Sequence, residues 1–429
     1  MTSLPVPTPT PSQAAQIQHA LHLLDQGRYT VTFAGPAGSG KTFCLLILLA
    51  ELRRRGKTVA VVAPTGKAAR RAQESTGKPA STIHSFVYQT VIDEEDEDGR
   101  ITPTFRSPCV EEPPDVLVID EGSMVGTRVA RDVEIALRGG KDDLSIPRRT
   151  QILVVGDNAQ LPPVKDTWGY PLHAPDAQLT EVLRQAADSP VLRMATRIRT
   201  SHDPADWLRT DAPDDDRLQV RRQIQLADAA AWVRDAPDQR IVLAYTNNTR
   251  RALNALVRAP WAGDGALVGG KDRLVCMANS SRFVNGDIVP VQTAARDHES
   301  EMRLRGHSDV HVYRLTVPDP VNGSERAVRV APVTLGGNPV DVMLADGRMK
   351  RGMTAAEARR KSPIVPLWHA DYGFALTIHK SQGSQWPEVM VLVDDATARL
   401  VQRNRNEAQR LLYTACTRAS ERLIVGRLA

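Results

Sequence analysis

Lys41 and Thr42 close a glycine-rich stretch, Gly35-Pro-Ala-Gly-Ser-Gly-Lys-Thr42, whose residue types suit one task, holding a chain of phosphates. Gly35, Gly38 and Gly40, with Ser39 among them, let the backbone turn its N–H groups onto phosphate oxygens. A helix opening at the end of the loop adds the positive end of its dipole. The Lys41 ammonium would bridge the β- and γ-phosphates, and the Thr42 hydroxyl would hold Mg²⁺. Apolar runs at Tyr29–Phe33 and Phe43–Leu49 predict the strand and the helix that such a loop needs. Val116-Leu-Val-Ile-Asp-Glu121 is an apolar strand ending in two carboxylates, expected beside the strand of the phosphate loop. Asp120 is short and suits the surroundings of Mg²⁺, whereas Glu121 reaches further and can act as general base toward water. Such a pair alone equally suits a plain turn, and the loop upstream is what favours chemistry.

A third apolar strand, Ile152–Val155, runs into Gly-Asp-Asn-Ala-Gln-Leu-Pro-Pro163. Gln160 there can donate and accept at once, as a sensor of the γ-phosphate must. Read alone, Asp157 and Gln160 are ordinary loop residues. Leu179–Gln185 and Leu411–Ala419 each set one arginine, Arg184 and Arg418, in a mostly apolar helical context. An arginine buried there needs an anion, either a carboxylate or a γ-phosphate met in the manner of an arginine finger. Ala63–Ala68, Ser81–Ser85 and Thr377–Gly383 combine hydroxyls with lysine or imidazole in short polar segments. Small polar groups at strand ends suit contacts along a nucleic-acid backbone that read no bases, although each is also a plain polar loop.

The elements that must position these groups follow from length and patterning. A chain of 429 residues is long enough for two or more domains with separate cores. Hydrophobic residues make up 41%, and the 4% that are aromatic leave few rings for base stacking. A net charge of +5 mildly favours an anionic partner. Cys44, Cys109, Cys276 and Cys416 lie far apart, which excludes a zinc ribbon or disulfide framework legible in sequence and suits a reducing cytosol. The N-terminus lacks the pattern of a signal peptide, and no apolar run reaches the roughly 18 residues of a membrane helix. Residues 1–12 are rich in Pro, Ser and Thr and are expected to be disordered, with Ser12 capping a helix to about Leu24.

The apolar runs Thr58–Ala63, Val116–Ile119 and Ile152–Val155, spaced by helices, predict a parallel sheet covered on both faces. An irregular insert at about 87–113 holds the acidic run Asp93–Asp98. Its Asp98-Gly99 pair signals a hairpin between arms at Val91-Ile92 and Ile101-Thr102. Residues 188–240 read as charged and helical. A second α/β block begins at Ile241–Tyr245 and resumes at Phe374–Thr377, Val389–Val393 and Leu423–Gly426. Short β-like runs with frequent turns separate its parts over about 275–366 and predict a small β-barrel-like insertion.

Taken in order, GPAGSGKT, APTGKAA, STIHSF, DEGSMV, VGDNAQLPPV, LTEVLRQ, YTNNTR, TIHKSQGSQW and LLYTACTRA resemble the motifs of the superfamily 1 DNA helicases. The likeness is to the 5′→3′ branch typified by RecD-like and phage Dda-like enzymes. It spans about residues 13–426, and VGDNAQLPPV, TIHKSQGS and the YTACTRA run are its most diagnostic parts. The resemblance implies an α/β fold of two RecA-like parallel-sheet domains with a small pin-bearing insertion and a β-rich SH3-like insertion. The first domain is expected over 13–86 and 114–187, with the pin or wedge insertion over 87–113. The second is expected over 188–274 and 367–429, with the SH3-like insertion over 275–366.

The same resemblance implies an ATP-dependent DNA helicase that translocates along single-stranded DNA, binding ATP and Mg²⁺ in the cleft between the two domains. Lys41, Thr42, Asp120, Glu121, Gln160 and Arg184 would serve the phosphates, Mg²⁺ and water, and Arg418 would be the finger from the second domain. Gln13 or Gln16 would read adenine, and Gln385 stands where relatives often carry a glutamate that can contact ribose. Thr65, Lys67, Thr82, His84, Thr246, Asn247, Thr377, His379 and Lys380 would line the single strand, with Phe105 as the wedge. Gly122 stands where alanine is commoner, an exchange expected to be harmless. The implied setting is the cytoplasm of a bacterial or phage-infected cell, associated with the nucleoid, in replication, recombination or repair. The chain would act there as a stand-alone monomer on single strands and forks, beside single-strand-binding or replication proteins and away from membranes. The competing readings are a translocase without strand separation, an RNA helicase, and a P-loop ATPase that remodels protein.

Overall fold

Strands that are mostly apolar on both faces form the centres of two parallel sheets in a computed structural model of the chain. The structure describes residues 8–88, 90–95, 101–105, 108–141, 149–163, 166–183, 188–209, 215–261, 267–277, 283, 285–298, 312–320, 323–330, 335, 340–343, 349–353, 368 and 370–429. The chain divides into two units. The first comprises residues up to Trp207 together with Gln382–Ser384 and Gln409–Thr417, and the second comprises the rest.

In the first unit the strands are β1 (Thr30–Ala34), β2 (Val59–Ala63), β3 (Ala80–Thr82), β4 (Thr90–Glu95), β5 (Ile101–Phe105), β6 (Val116–Ile119), β7 (Gln151–Gly156) and β8 (Ala177–Gln178). Its helices include α1 (Pro11–Asp25), α2 (Lys41–Arg54), α3 (Gly66–Thr76), α4 (Ile83–Val87), α5 (Thr127–Ala136) and α6 (Pro190–Thr200). Six strands pair in the order β3-β2-β6-β7-β1-β8, all parallel. The pleat sends alternate side chains to opposite faces. Val116, Val118, Leu153 and Val155 pack with Leu21, Leu45 and Leu48 of α1 and α2. Leu117, Ile119, Ile152 and Val154 pack on the other face with Val133 and Ala136 of α5.

Several expectations are corrected here. Helix α1 starts at Pro11 and is capped by Thr10, whose hydroxyl accepts from Gln13 N, so Pro11 and Ser12 are helical and Ser12 is no cap. Proline at the first turn has no N–H to leave unpaired, which is why the start falls there. Leu179–Leu183 is irregular rather than helical, following the short edge strand β8. Its backbone is spent elsewhere: Leu179 N donates to Ala34 O and Leu183 N to Gly38 O. The first unit runs past the expected boundary at residue 187 to Trp207, and Val191, Met194, Ile198 and Trp207 in that stretch are buried. Strands β4 and β5 form an antiparallel hairpin with Thr90 opposite Phe105 and an irregularity between Val91 and Glu94. Its arms are longer than expected, and the Asp98-Gly99 turn lies outside the described residues.

The second unit contains β9 (Leu218–Ile224), α7 (Leu226–Asp235), β10 (Arg240–Ala244), α8 (Asn247–Arg258), β11 (Arg273–Cys276), β12 (Ile288–Pro290), β13 (Thr293–Arg296), β14 (Tyr313–Pro318), β15 (Glu325–Val330), β16 (Val340–Met343), β17 (Met349–Met353) and β18 (Ala370–Tyr372). It continues through β19 (Ala375–Thr377), β20 (Trp386–Val393), α9 (Asp395–Arg403), α10 (Arg405–Cys416) and β21 (Ala419–Leu428), with the Gln409–Cys416 part of α10 counted in the first unit. Its parallel sheet has the order β19-β10-β20-β21-β9. Strand β9 corrects the helical reading of 188–240: only its end residues Leu218 and Ile224 are buried, so it shows no apolar run. Strands β11 to β18 pair antiparallel in three small sheets, beginning slightly before and ending slightly after the expected insertion. No described helix is long and apolar enough to cross a membrane.

Helix α8 joins the parallel sheet to the antiparallel strands through a polar stripe. Arg250 Nη1 donates to Asp371 Oδ2 at 2.8 Å, Asn254 Nδ2 to Tyr372 O at 3.3 Å, and Arg258 Nε to Asp272 Oδ1 at 2.6 Å. Arg258 also donates to the Tyr372 hydroxyl and lies 4.1 Å from the centroid of its ring. Asp272 accepts from Arg258 on both oxygens and from Val268 N. Truncating it leaves a buried guanidinium without its carboxylate. Asp272→Ala is expected to cost on the order of 3 kcal/mol, read as an earlier urea unfolding transition of this unit.

Candidate functional site

Read along the carboxyl edge of the first sheet, the strands deliver the predicted residues side by side. Thr82 ends β3, Thr65 follows β2, Asp120 and Glu121 follow β6, Asp157–Gln160 follow β7, and the glycine loop follows β1. Strand β7 therefore lies between the carboxylate strand and the strand of the loop, which were expected to be neighbours. This edge is where open α/β sheets bind ligands.

Gly38 and Gly40 have φ of 79° and 83°, a left-handed backbone that glycine adopts freely. Gly40 precedes α2 without a side-chain cap, so the helix presents its first N–H groups as a ready anion site. Gln13 underpins the loop: its Oε1 accepts from Thr10 N, and its Nε2 donates to Ser39 O at 3.0 Å. A Cβ at Gly40 would come within 2.5 Å of Gln13 Nε2. Gln16 instead accepts from Gln178 N on β8, so of the two glutamines only Gln13 touches the loop. Ser39 donates to Pro36 O, and Lys41 Nζ donates to Gly35 O at 2.7 Å and Pro36 O at 3.0 Å. Thr42 is exposed on the first turn of α2.

Asp120 Oδ1 accepts from Glu121 N. Burial, reinforced by the charge of Glu121, pushes the Asp120 carboxyl up to about 6. Two crowded carboxylates suit a divalent cation. Mg²⁺ in phosphate sites takes one or two carboxylates and completes its shell from phosphates and water, which fits Asp120 with Thr42. Glu121 has φ 52°, the one non-glycine residue with positive φ among those described. A left-handed glutamate at a strand end is a strained conformation of the kind found at functional sites. Glycine at position 122 is what the packing of this chain requires. A Cβ there would meet Val154 Cγ1 at 2.3 Å, because that valine methyl fills the space an alanine would need.

The loop after β7 is fixed by a fully buried carboxylate. Asp157 Oδ1 accepts from Ala159 N, and Oδ2 accepts from the Tyr413 hydroxyl at 2.8 Å and weakly from Gln160 Nε2 at 3.4 Å. Lys41 Nζ lies 3.9 Å from the same oxygen. Gln160 is buried, and its Oε1 has no partner among the described residues. Residues of α10 that belong to the first unit brace this loop. Arg410, stacked on Trp168, donates to Asn158 O and Gln160 O, and Thr414 Oγ1 accepts from Leu161 N. Gln382 Nε2 donates to Leu161 O. None of these bracing residues was singled out from sequence. Their signal was Tyr413, a polar ring inside the apolar run Leu411–Ala415.

Arg184 lies outside the described residues. Arg418 belongs to the second unit, just beyond the end of α10, and is buried at 3% exposure. Gln385, exposed, belongs to the same unit.

Among the residues assigned to a single strand, Thr65 and Thr82 cap α3 and α4 through Ala68 N and Ser85 N. Lys67 sits in the first turn of α3, and His84 is exposed on α4, stacked near Tyr88. In the second unit Thr377 ends β19 and Thr246 follows β10, again on neighbouring strands. The Thr246 hydroxyl caps α8 and also donates to Asp394 Oδ2, while Asn247 is exposed at the helix start. His379 and Lys380 lie in a short turn after β19, and burial lowers the proton affinity of both. The side chain of Phe105 lies outside the described residues.

Two outcomes follow from this geometry. Gly122→Ala should destabilise the first unit by about 1–3 kcal/mol through overpacking, and adding Val154→Ala should recover much of the loss in thermal melts. Asp120→Asn should stabilise the metal-free protein at pH 7.5 by on the order of 1 kcal/mol. The sign follows from a folded-state value near 6 against 3.8 for a free aspartate. Folding disfavours the ionised form, so stability falls as pH rises through this window. The gain in the asparagine variant should shrink as pH is lowered toward 4 in denaturant titrations.

Known proteins match the chain over most of its length. A family described as an AAA domain matches residues 11–219, and one described as a UvrD-like helicase C-terminal domain matches 372–425. The chain is 28% identical over 414 residues to the ATP-dependent RecD2 DNA helicase of Deinococcus radiodurans, covering 93% of this chain and 47% of that protein. It is 28% identical over 208 residues to the ATP-dependent DNA helicase dda of Enterobacteria phage T4, covering 44% of this chain and 42% of that one. It thus spans about half the length, or less, of these relatives. The crystal structure of Pif1 helicase from Candida albicans shares the fold, with a TM-score of 0.51 at 20% identity over 98% of this chain and 95% of that one. With a RecD2 likeness along almost its whole length and a dda likeness over part of it, the chain is similar to superfamily 1B helicases of the RecD-like and Dda-like kinds.

Proposed function

We propose that this chain is an ATP-dependent DNA helicase that translocates 5′→3′ on single-stranded DNA and unwinds duplex. One observation carries the reading. A triphosphate-type loop, a carboxylate pair and a buried glutamine occupy the ends of β1, β6 and β7, and hydroxyl-bearing helix starts occupy the ends of the neighbouring strands β2 and β3. The first group suits phosphoryl transfer to water and the second suits a sugar–phosphate backbone. The direction of travel is taken from the family.

In this reading the N–H groups of Gly38–Thr42 and the Lys41 ammonium hold the phosphates, and Gln13 fixes the loop at the base end. Thr42 and Asp120 would hold Mg²⁺, which when bound would supply charge neutralisation at the phosphates. Glu121 takes a proton from the attacking water, and Gln160 offers its uncommitted oxygen as an acceptor that orders that water. Arg184 and Arg418 are the cations proposed for the γ-phosphate. Backbone N–H groups at the starts of α3, α4 and α8, with Lys67, His84, Asn247, Thr377, His379 and Lys380, follow the strand. Thr246 contributes mainly its position, since its hydroxyl serves Asp394. The hairpin β4–β5 with Phe105 is proposed as the duplex-splitting pin, and the antiparallel strands of the second unit as an SH3-like insertion. The setting proposed is cytoplasmic, on single strands and forks.

Duplexes carrying a single 5′ or 3′ tail test the reading. ATP-dependent opening is expected on the 5′-tailed substrate alone, and Lys41→Ala should open neither while retaining part of its single-strand binding. Opening of the 3′-tailed substrate would reverse the polarity. ATP turnover that single-stranded DNA leaves unchanged would instead favour an ATPase acting on protein.

A further inference from the structure

The P-loop and the Gln160 loop are joined by one hydroxyl. Tyr413 Oη accepts from Ala37 N–H at 2.7 Å and donates to Asp157 Oδ2 at 2.8 Å. The phenol is 2% exposed and Asp157 is fully buried, so water does not replace either bond. Burial, with the Asp157 charge behind it, raises the phenol well above its usual range and keeps its proton in place to donate. The same carboxylate oxygen lies 3.9 Å from Lys41 Nζ, close enough to compete for the cation. A buried carboxylate stripped of a donor turns to the nearest positive charge. Here that charge is the lysine on which phosphate binding depends.

We propose that Tyr413 is a positioning residue of the phosphate site. Its hydroxyl occupies Asp157 Oδ2, which keeps that carboxylate from capturing Lys41, and it pins the loop bearing Gln160 to the P-loop through Ala37. Tyr413 acts through Asp157 and Ala37. The proposal rests on the nucleotide-hydrolysing reading given above and adds to it a residue outside the phosphate-contacting set.

Tyr413→Phe keeps the ring and removes only the two hydrogen bonds. Its kcat/KM for ATP should fall about tenfold, the scale of a displaced phosphate-binding group. Asp157→Asn removes the charge that competes for Lys41, so Tyr413→Phe should cost less in that background than in the wild type, retaining only the part due to the lost Ala37 bond. Fully multiplied losses in the double variant, or wild-type turnover in Tyr413→Phe, would overturn the proposal. Hydrogen exchange of the peptide containing Ala37 judges the bridge without turnover. Its amide should exchange faster in Tyr413→Phe than in the wild type, and equal rates would overturn the bridge. A wild-type protein that does not hydrolyse ATP would sink the helicase reading, and the exchange comparison would still decide the role of Tyr413.

Discussion

The first unit depends on one buried carboxylate. Asp157 is wholly removed from water, and every favourable contact it makes orders something a phosphate site needs. Ala159 N and Gln160 Nε2 set the loop after β7, the Tyr413 hydroxyl brings in helix α10, and Lys41 stands within ionic reach. A charge so placed is tolerated only when its lone pairs are occupied. That requirement turns a single loop residue into the point where the P-loop, the Gln160 loop and α10 must agree. Other parts of α10 reinforce the arrangement through Arg410 and Thr414, which fasten the backbone of the same loop.

Around this point the sheet supplies order without further devices. Parallel strands release their carboxyl ends on one edge, so residues far apart in sequence arrive as neighbours according to strand order alone. Because β7 separates β6 from β1, the loop of Asp157 and Gln160 falls between the carboxylate pair and the P-loop. Glu121 adds local strain to this order. Its left-handed backbone turns the chain sharply after Asp120, and Gly122 beside it packs against Val154 with no room for another atom.

Much of this was legible in the sequence. Continuous apolar runs such as Val116–Ile119 and Ile152–Val155 reported strands buried on both faces, and the glycine loop reported its own turn. Strand β9 was not legible, since only its end residues face a core and the middle reads as charged surface. Thr10 was missed as a cap because Ser12 stands in the same short polar stretch, and Pro11 decided between them by sterics. The α10 partners of the loop from Asp157 to Leu161 lie some 250 positions away in sequence, and no local pattern reveals a hydrogen bond of that span. Thr246 shows the opposite limit. Its place at a strand end was read correctly, but the carboxylate of Asp394 that takes its hydroxyl was invisible.

The polar stripe on α8 has a mechanical side. Arg250, Asn254 and Arg258 recur every fourth residue, so they share one face and fasten about two turns of helix to the antiparallel strands. The opposite end of the same helix starts at Thr246, on the carboxyl edge of the parallel sheet. A helix of 12 residues is a stiff rod about 18 Å long. Asn254 also bonds Ala375 of β19 through both polar atoms of its side-chain amide, so one short, stiff helix that starts at the carboxyl edge ties the antiparallel strands directly to the parallel sheet.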